Sequence, residues 1–547
     1  MTSVNEPLRG NPAGGGPLPG VSHQNAAFLA ERYGPAYRWL VTITGMVGVV
    51  AMVLAMTTVN VAVPDVMGAF GIGQDKAQWM SSAYMATMTA GMLLNAWMSG
   101  VLGERRTFIG ALFFFSAGAL LGGMAPNEDV LIFARILQGF SAGIAQPLVM
   151  ATIFTVFPAE RRGTAMGIFG LGVVFAPAIG PTLGGLMIEY FSWRYVFYIS
   201  LPFCGLAAIM GAFFMPTRPL AREIPPFDWL GFALLCVGLW GLMTGIADGQ
   251  REGWTSDVIV LHLVLGSAAA VGFVLWELYT PRALLDMRIF ANLEFASAAV
   301  IAFIFGAGMM GSTYIIPVFV QTMVGFTPLL AGLMMMPAGL MLAVIFPLAG
   351  RLSDAMPASF MIIGGLILFA AGFALMVAAD ADTTFWTLVG MVMVSRLGLG
   401  FINPSLNATA LKALPPDRVR QGAGVANFMR QLGGAFGINL IVAFFEIRTR
   451  FHADALTATQ DWGNRTTEHL LIQMEQLMQR SGLPFQQQKA AALEFLGQMV
   501  NAQAQMLAFS DTFIVIAIVA LLALIPAALL SRSQQPGAMA RLTLGRR

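Results

Sequence analysis

Charged side chains are scarce in this sequence. Only 11% of its 547 residues are Asp, Glu, Lys or Arg, whereas soluble domains contain about 25%. The formal net charge is +2, and no basic stretch interleaved with aromatic residues points to a nucleic-acid partner. Because 57% of the residues are hydrophobic, the composition is typical of a polytopic membrane protein.

Cysteine and histidine are scarce too. The two cysteines, Cys204 and Cys236, lie in apolar runs and are interpreted as small packing residues rather than a disulfide or metal site. The four histidines form no ligand cluster, and no nucleophile–base set or phosphate-binding loop is visible. We therefore predict neither enzymatic activity nor a cofactor or metal. A cleavable signal is also missing, since residues 1–38 are rich in Gly, Pro and polar residues and predict a disordered tail.

Long apolar runs dominate the rest of the chain. A membrane-spanning helix needs about 20 mostly apolar residues, and fourteen runs meet this length. The runs are 41–63, 77–99, 107–125, 130–156, 164–188, 194–215, 228–248, 257–277, 293–320, 328–349, 359–379, 384–411, 422–446 and 510–531. Most loop arginines and lysines occur in loops of one parity, which predicts that both termini, including the basic tail 532–547, are cytoplasmic.

The loop 447–509 is long, polar and on the predicted outer side. Two helical patterns within it, separated by "SGLP", predict a helical hairpin outside the membrane. The apolar face of the hairpin either covers the rest of the protein or forms a docking surface for a partner.

An internal repeat divides the chain. "RILQGF", starting at Arg135, and "RLGLGF", starting at Arg396, are each followed by a loop with proline, acidic and basic residues and then a glycine-rich helix. The two copies are eight runs apart, which predicts two six-helix halves, 39–216 and 291–531, separated by two inserted helices and a cytoplasmic linker, 217–290. Parallel repeats of this kind are typical of secondary transporters.

Several ordered motifs carry a family resemblance. "LIFARILQGFSAGIAQP" resembles the helix-four motif of the major facilitator superfamily, and "GLGVVFAPAIGPTLGGLM" resembles the antiporter motif of helix five. "FDWLGFALL" resembles the inserted helix of fourteen-helix drug:proton antiporters, and "GRLSD", ending at Asp354, a helix-turn motif of the second half. The antiporter motif residues are Gly172, Pro177, Gly180, Pro181, Gly184 and Gly185. The long outer loop is most similar to that of EmrB-type permeases.

The resemblance implies a fold and a function. It implies an all-α major facilitator fold with fourteen transmembrane helices, in a bacterial inner membrane. It also implies proton-coupled multidrug efflux by alternating access, with small amphipathic substrates, protons and membrane lipid as partners. EmrB-type permeases work with a periplasmic membrane-fusion adaptor and an outer-membrane channel, so residues 447–509 are the expected adaptor site.

Polar and charged residues inside apolar helices mark the candidate cavity, because such residues are costly in a membrane unless they are used. Arg135 is expected to respond to a titrating group or an anionic substrate, or else to pair structurally with backbone carbonyls. For Arg396 and Arg430 the functional and structural interpretations stay equally open. The remaining expected cavity residues are Asn60, Gln146, Tyr314, Gln321, Asn403, Asn407 and Asn427.

Carboxylates are missing where the family has them. Alignment of "VNVAVP" with the family's helix-one motif places Ala55 at the position of its aspartate, and Gly100 replaces the aspartate of the first-half loop motif, with Glu104 close by. No acid lies in the middle of any run. Protons, if they drive transport, need a shallower carboxylate, and the candidates are Glu294 on the inner side and Asp65 or Asp511 on the outer side.

A neutral-to-positive cavity favours neutral or anionic substrates, such as fatty-acid-like, phenolic or acidic compounds. Two alternatives remain open. One is an exporter of an endogenous anionic metabolite or lipid without the usual proton coupling. The other is a non-transporting membrane sensor or scaffold whose outer hairpin is the active part.

Overall fold

All regular elements in the described part of the chain are helical. The computed structural model describes residues 28–72, 74–217, 224, 226–281, 283–460, 464–480 and 484–533. Most of the predicted N-terminal tail (1–27), the basic tail from 534 onward and residues 218–223 of the linker lie outside these residues.

The predicted first half, 39–216, contains six main helices. They are α1 (Tyr37–Val61), α2 (Gln74–Leu102), α3 (Glu104–Gly123), α4 (Glu128–Val156), α5 (Arg162–Tyr190) and α6 (Leu201–Phe214). Helix α4 packs against α1, α2 and α3 and is therefore the most enclosed of them. A side-chain cap fixes its start, since the Val130 N–H donates to Asn127 Oδ1 at 3.0 Å.

Two features of this half differ from the predicted runs. The chain does not leave the helix after α1 but continues as a short helix, Val63–Phe70, with proline in its first turn. Proline is compatible with that position because its missing N–H has no intrahelical partner there. The run 194–215 is interrupted, and Tyr195–Tyr198 forms a separate turn before α6.

The predicted second half follows the two helices that were predicted to lie between the halves. The inserted pair is α7 (Trp229–Glu252) and α8 (Asp257–Tyr279). The second half contains α9 (Leu293–Thr322), α10 (Pro328–Ala355), α11 (Ala358–Met376), α12 (Phe385–Lys412), α13 (Val419–Thr457) and α15 (Phe485–Leu522), with α14 (Arg465–Arg480) between the last two. Helix α7 packs against α2 of the first half and α13 of the second, while α8 packs mainly on α7.

The region predicted as an outer hairpin does not form a separate unit, because its helices continue into the neighbouring spans. Helix α13 continues past residue 446 to Thr457. Helix α15 runs without a break from Phe485 to Leu522, and a turn at Ala523 leads into a short last helix, Leu524–Ser533. Neither α13 nor α15 contains proline, so nothing in the chain ends the helix at the predicted membrane boundary. Helix α14 packs along the first part of α15.

Twelve helices in the described residues are long and apolar enough to cross a membrane. Helices α2 and α5 occupy the other two predicted runs but are not among these twelve. The structure therefore establishes a multi-span helical architecture, and the count of fourteen spans stays a prediction.

The two halves meet along two seams. Helix α5 packs against α10 and α12, and α13 packs against α2 and α4. Glycine allows the helices of the first seam to approach closely. A Cβ at Gly350 would lie 2.6 Å from the carbonyl oxygen of Gly163, and a Cβ at Gly167 would lie 2.5 Å from the carbonyl oxygen of Phe346. The second seam is similar, since a Cβ at Gly424 would lie 2.8 Å from the Met92 oxygen.

Candidate functional site

Arg135 is a fully buried cation in α4. Its Nε donates to the Met80 carbonyl at 2.9 Å, and its Nη1 donates to Gln138 Oε1 at 3.0 Å and to the Ala55 carbonyl at 3.4 Å. The guanidinium also lies 4.2 Å from the centre of the Tyr84 ring, a favourable cation–π arrangement. No carboxylate in the described part of the chain is within ion-pair distance of Arg135. Ala55, at the aspartate position of the family, thus offers Arg135 only its backbone oxygen.

The second half contains two further buried arginines. Arg396 donates from Nη1 to Ser312 Oγ at 2.9 Å, and Arg430 donates from Nη2 to Asn427 Oδ1. The Nη2 nitrogens of Arg135 and Arg396 are buried without a hydrogen-bond partner. A buried charge with an unsatisfied donor is costly, so these nitrogens are the places where an anionic group would gain most.

The predicted polar cavity residues fall into small groups. Asn407 Nδ2 donates to Asn403 Oδ1 at 2.8 Å within α12, and both side chains are buried. Asn427 Nδ2 donates to the Ala423 carbonyl at 2.9 Å and lies 2.9 Å from Met150 Sδ of the first half. Asn427 and Arg430 therefore lie where the two halves meet.

Other predicted residues are not joined to these groups by any hydrogen bond of the described residues. Gln146 is buried in α4 with its Oε1 unpartnered. Tyr314 is 44% exposed, and Gln321 is exposed in the last turn of α9. Asn60 lies near the end of α1, and its side chain is outside the described residues.

Sequence reasoning missed the direct partners of the arginines. Tyr84, Ser312 and the carbonyl of Met80 make the closest contacts with Arg135 and Arg396. Backbone oxygens carry no sequence signal, and a single Ser or Tyr in an apolar helix does not identify its partner. Only tertiary packing brings α1, α2 and α4 together around Arg135.

Asp354 joins the two halves at the α5–α10 seam. One carboxylate oxygen accepts from the Gly163 N–H at 2.6 Å, and the other accepts from the Thr164 N–H at 2.8 Å and its hydroxyl at 2.7 Å. The carboxylate therefore caps the start of α5, where free N–H groups and the helix dipole favour an anion. Lys412 Nζ is 3.9 Å away.

Glu104 makes the corresponding contact at the α2–α13 seam. Its Oε1 accepts from Arg420 Nη1 at 3.0 Å, and Asn95 Nδ2 donates to the Arg420 carbonyl at 3.4 Å. Gly100 provides no carboxylate at its own position, so Glu104 is the acidic group that connects the first half with the start of α13.

The three candidate proton carriers have different surroundings. Asp65 is exposed in the short helix after α1, and Glu294 is half-buried in the first turn of α9. Asp511 is engaged, since its Oδ2 accepts from Arg448 Nε at 2.7 Å and lies 2.7 Å from His452 Nε2. Asp511 therefore belongs to an Arg–His–Asp cluster that joins α13 to α15.

The glycines of the predicted antiporter motif pack mainly against α1. A Cβ at Gly184 would lie 2.9 Å from the Thr58 carbonyl, and Cβ atoms at Gly180 and Gly172 would overlap Thr57 and Met46. Gly185 has open space around its missing Cβ. Helix α5 continues through Pro177 and Pro181, whose side chains are outside the described residues.

An apolar cavity of about 480 Å³ lies within the second half. Its walls come from α9, α11, α12, α13 and α15, with Phe303, Phe369, Phe436 and Val515 among the lining side chains, and Trp254 from the turn between α7 and α8 also contributes. None of the polar residues predicted to line a cavity lies in its wall. This cavity is thus suited to apolar groups and is distinct from the polar groups around the arginines.

The comparisons with known proteins agree with this architecture. The family described as Major Facilitator Superfamily matches residues 45–438. The uncharacterized MFS-type transporter YhcA of Bacillus subtilis is 32% identical over 420 residues, which cover 76% of this chain and 79% of that protein. The multidrug resistance protein B homolog of Mycobacterium tuberculosis strain H37Rv is 30% identical, with 73% of this chain and 75% of that protein covered.

Solved structures show the same fold at low sequence identity. The crystal structure of the human organic anion transporter MFSD10 (TETRAN) aligns with a TM-score of 0.59 and 14% identity, covering 90% of this chain and 99% of that one. The helical halves, the membrane-spanning helices and the match over most of the chain lead to one conclusion: the protein belongs to the Major Facilitator Superfamily, whose members are multi-span membrane transporters and not enzymes.

Proposed function

We propose that the protein is an efflux permease with fourteen transmembrane helices, which exports amphipathic or hydrophobic compounds across a bacterial inner membrane by alternating access. The observation that carries this proposal is the pair of polar contacts at the seams, Asp354 with the start of α5 and Glu104 with Arg420. Alternating access requires the halves to separate on one side at a time, and polar contacts at helix ends are suited to that because water can replace them.

The charges inside the helices support neutral or anionic substrates. Arg135, Arg396 and Arg430 are buried, and in the described part of the chain none of them forms an ion pair. Such a site attracts anions and repels lipophilic cations. The name of the Mycobacterium tuberculosis relative supports a multidrug role, and the apolar cavity offers space for hydrophobic groups.

Proton exchange is the proposed driving force, with a shallow carboxylate as the carrier. The contacts of Asp511 with Arg448 and His452 support Asp511 on the outer side, because they hold a carboxylate that is still 27% exposed between two helices. Glu294 is proposed for the inner side and Asp65 as a second outer candidate. Ala55 and Arg135 cannot exchange a proton in the manner of an Asp–Arg pair.

A transport assay in proteoliposomes tests this function. The purified protein is reconstituted, a pH gradient is imposed, and the movement of a fluorescent fatty acid and of ethidium is followed. We expect gradient-dependent movement of the fatty acid and weak movement of ethidium. Fatty-acid movement without gradient dependence favours the exporter that is not coupled to protons. If the protein transports no compound in a panel of amphiphiles, the sensor or scaffold alternative is favoured.

We also propose that residues 447–509 bind a periplasmic membrane-fusion adaptor within a tripartite pump that includes an outer-membrane channel. Exposed apolar side chains on α14 and α15 support this, among them Ile472, Leu477, Leu493 and Met499. A photo-crosslinking residue at 477 is expected to capture a purified adaptor, and one at exposed Thr322 is not. Equal capture at both positions would contradict the adaptor proposal.

A further inference from the structure

The inserted helices hold two carboxyl groups that the transport proposal does not use. Asp228 is the N-cap residue of α7, and Glu277 lies in the last turn of α8. The two side chains are only 7% and 3% exposed. They lie together because α7 and α8 pack as an antiparallel pair.

Asp228 is surrounded by hydrogen-bond donors. Its Oδ1 accepts from the Gly231 N–H at 2.9 Å, and Trp276 Nε1 lies 2.9 Å from Oδ1 and 3.0 Å from Oδ2. The start of a helix also favours negative charge. Both carboxylate oxygens of Asp228 therefore lie within hydrogen-bond distance of an N–H donor.

Glu277 has a different environment. Its Oε2 accepts from the Leu285 N–H at 3.0 Å, and the Leu284 N–H also lies near the carboxyl group, whereas Oε1 is buried without any hydrogen-bond partner. An ionised carboxylate would leave negative charge on that oxygen with no donor to compensate it, which is costly in a buried site. A proton on Oε1 removes this cost and supplies a donor.

The two carboxyl groups are also near neighbours. A Cβ placed on Gly231 would lie 2.8 Å from Glu277 Oε1 and would overlap Asp228 Oδ2. Glycine at 231 is therefore what leaves room for both groups. Two carboxylates at such short range do not both ionise readily, because each charge raises the cost of the other.

The neighbouring charges do not relieve this repulsion. Asp286, from the linker after α8, adds a further negative charge near Glu277, and its own Oδ2 is 3.5 Å from Arg418 Nη1. Within the described residues, no lysine, arginine or histidine forms an ion pair with Asp228 or Glu277.

We propose that the Asp228–Glu277 pair is a proton-binding site, in which Asp228 keeps its charge and Glu277 carries the proton on Oε1 at neutral pH. Binding adds one proton to that oxygen, and release returns it to water. The ligand is a single proton, and the pair of carboxyl groups binds no more than one, on Glu277.

The site connects the inserted pair to the linker that enters the second half. The Leu285 N–H bonded to Glu277 follows the end of α8, and Leu284 and Leu285 are both buried. Deprotonation of Glu277 places two like charges side by side at this junction and weakens the packing of α7 and α8 with the linker. The inference does not rest on the proposed efflux function.

Infrared difference spectroscopy tests the proposal on the full-length protein in lipid nanodiscs. Spectra are recorded between pH 5 and 10 for the wild type, Glu277→Gln and Asp228→Asn, with Glu468→Gln as the control because Glu468 is exposed on α14. We expect a protonated-carboxyl band in the wild type and in E468Q that persists at neutral pH and disappears on alkaline titration. The band should be lost in E277Q.

The Asp228→Asn variant separates the pair from an isolated buried glutamate. Removal of the neighbouring charge should shift the midpoint of the Glu277 titration downward by roughly one pH unit. The unfolding temperature at pH 6 and pH 9 checks folding, and E277Q should lose the alkaline destabilisation shown by the wild type. A wild-type band identical to that of E277Q at every pH, or a midpoint unchanged in D228N, would overturn the proposal.

Discussion

Arg135 donates hydrogen bonds to three oxygens, and none of them belongs to a carboxylate. The backbone of Ala55 lies where an aspartate would compensate the charge. At the scale of single residues, the transporter is thus characterised by buried cations in contact with neutral acceptors, and its substrate preference is expected to follow from that charge.

The Ala55→Asp variant tests the link between this charge and selectivity. The new carboxylate would lie beside Arg135, whose Nη1 is 3.4 Å from the Ala55 oxygen, and would neutralise it. We expect the ratio of ethidium to fatty-acid transport to rise roughly tenfold, equivalent to about 1.4 kcal/mol. Ala55→Asn adds similar volume without charge and should leave the ratio near the wild-type value. An equal change in both variants would show that volume, rather than charge, controls selectivity.

A second test at the scale of single residues concerns Asp511. The Asp511→Asn substitution removes the negative charge that holds Arg448 and His452. We expect at least a tenfold loss of proton-driven transport, measured as proton flux in vesicles, if Asp511 is the outer carrier. The exposed Asp382 provides a matched control as Asp382→Asn. Full coupled transport in D511N would instead direct the search to Asp65 and Glu294.

Helix α5 shows what a single element contributes. Its first turns pack against α10 of the other half, while Gly180 and Gly184 pack against α1 of its own half. The same helix therefore packs against the second half through its first turns and against α1 of its own half further along. The glycine pattern alone indicates close packing, but it does not show which helix approaches which glycine.

Two alanine substitutions in α5 separate packing from helix propensity. A Cβ at Gly180 would overlap Thr57 Oγ1, whereas a Cβ at Gly185 meets nothing within 4 Å. We expect Gly180→Ala to lower the free energy of unfolding by about 1–3 kcal/mol through overpacking and to reduce transport. Gly185→Ala should be neutral or slightly stabilising. Thermal unfolding and vesicle transport measure both effects, and equal behaviour of the two variants would contradict the close contact between α1 and α5.

The whole molecule depends on contacts at the two seams. Asp354 caps α5 across the first seam, and Glu104 pairs with Arg420 across the second. Both contacts lie at helix ends, so a shift of one half relative to the other can break them while each half stays packed. This arrangement is what allows two states of one molecule to have similar energy.

The Asp354→Asn variant is expected to favour separation of the halves at this end. Asparagine loses one acceptor oxygen and the charge at the start of α5, a change worth about 1–2 kcal/mol. Spin labels report the separation at two exposed positions in different halves, Arg106→Cys in the first turn of α3 and Asp417→Cys in the loop before α13. We expect a longer or broader distance distribution in D354N, with the D382N variant as the control. An unchanged distribution would show that Asp354 does not hold the seam.

The sequence by itself determined the class of the protein and much of its layout. Apolar runs of spanning length have to form helices in a membrane, because no water is present to satisfy the backbone, and helices occupy all the predicted runs. The absence of an acid at Ala55 was also readable from the sequence alone. These conclusions need only the composition of each run and the identity of single residues, and both are local properties of the chain.

Tertiary structure decided the contacts between distant residues. Glu104 and Arg420 are 316 positions apart, and Asp354 meets the start of α5 from 191 positions away. The junction of α14 with an unbroken α15, and the joint burial of Asp228 and Glu277, also appeared only in the folded chain. Periodicity shows which face of a helix is apolar, but the partner of that face is fixed by packing, and packing brings together groups that the sequence keeps apart.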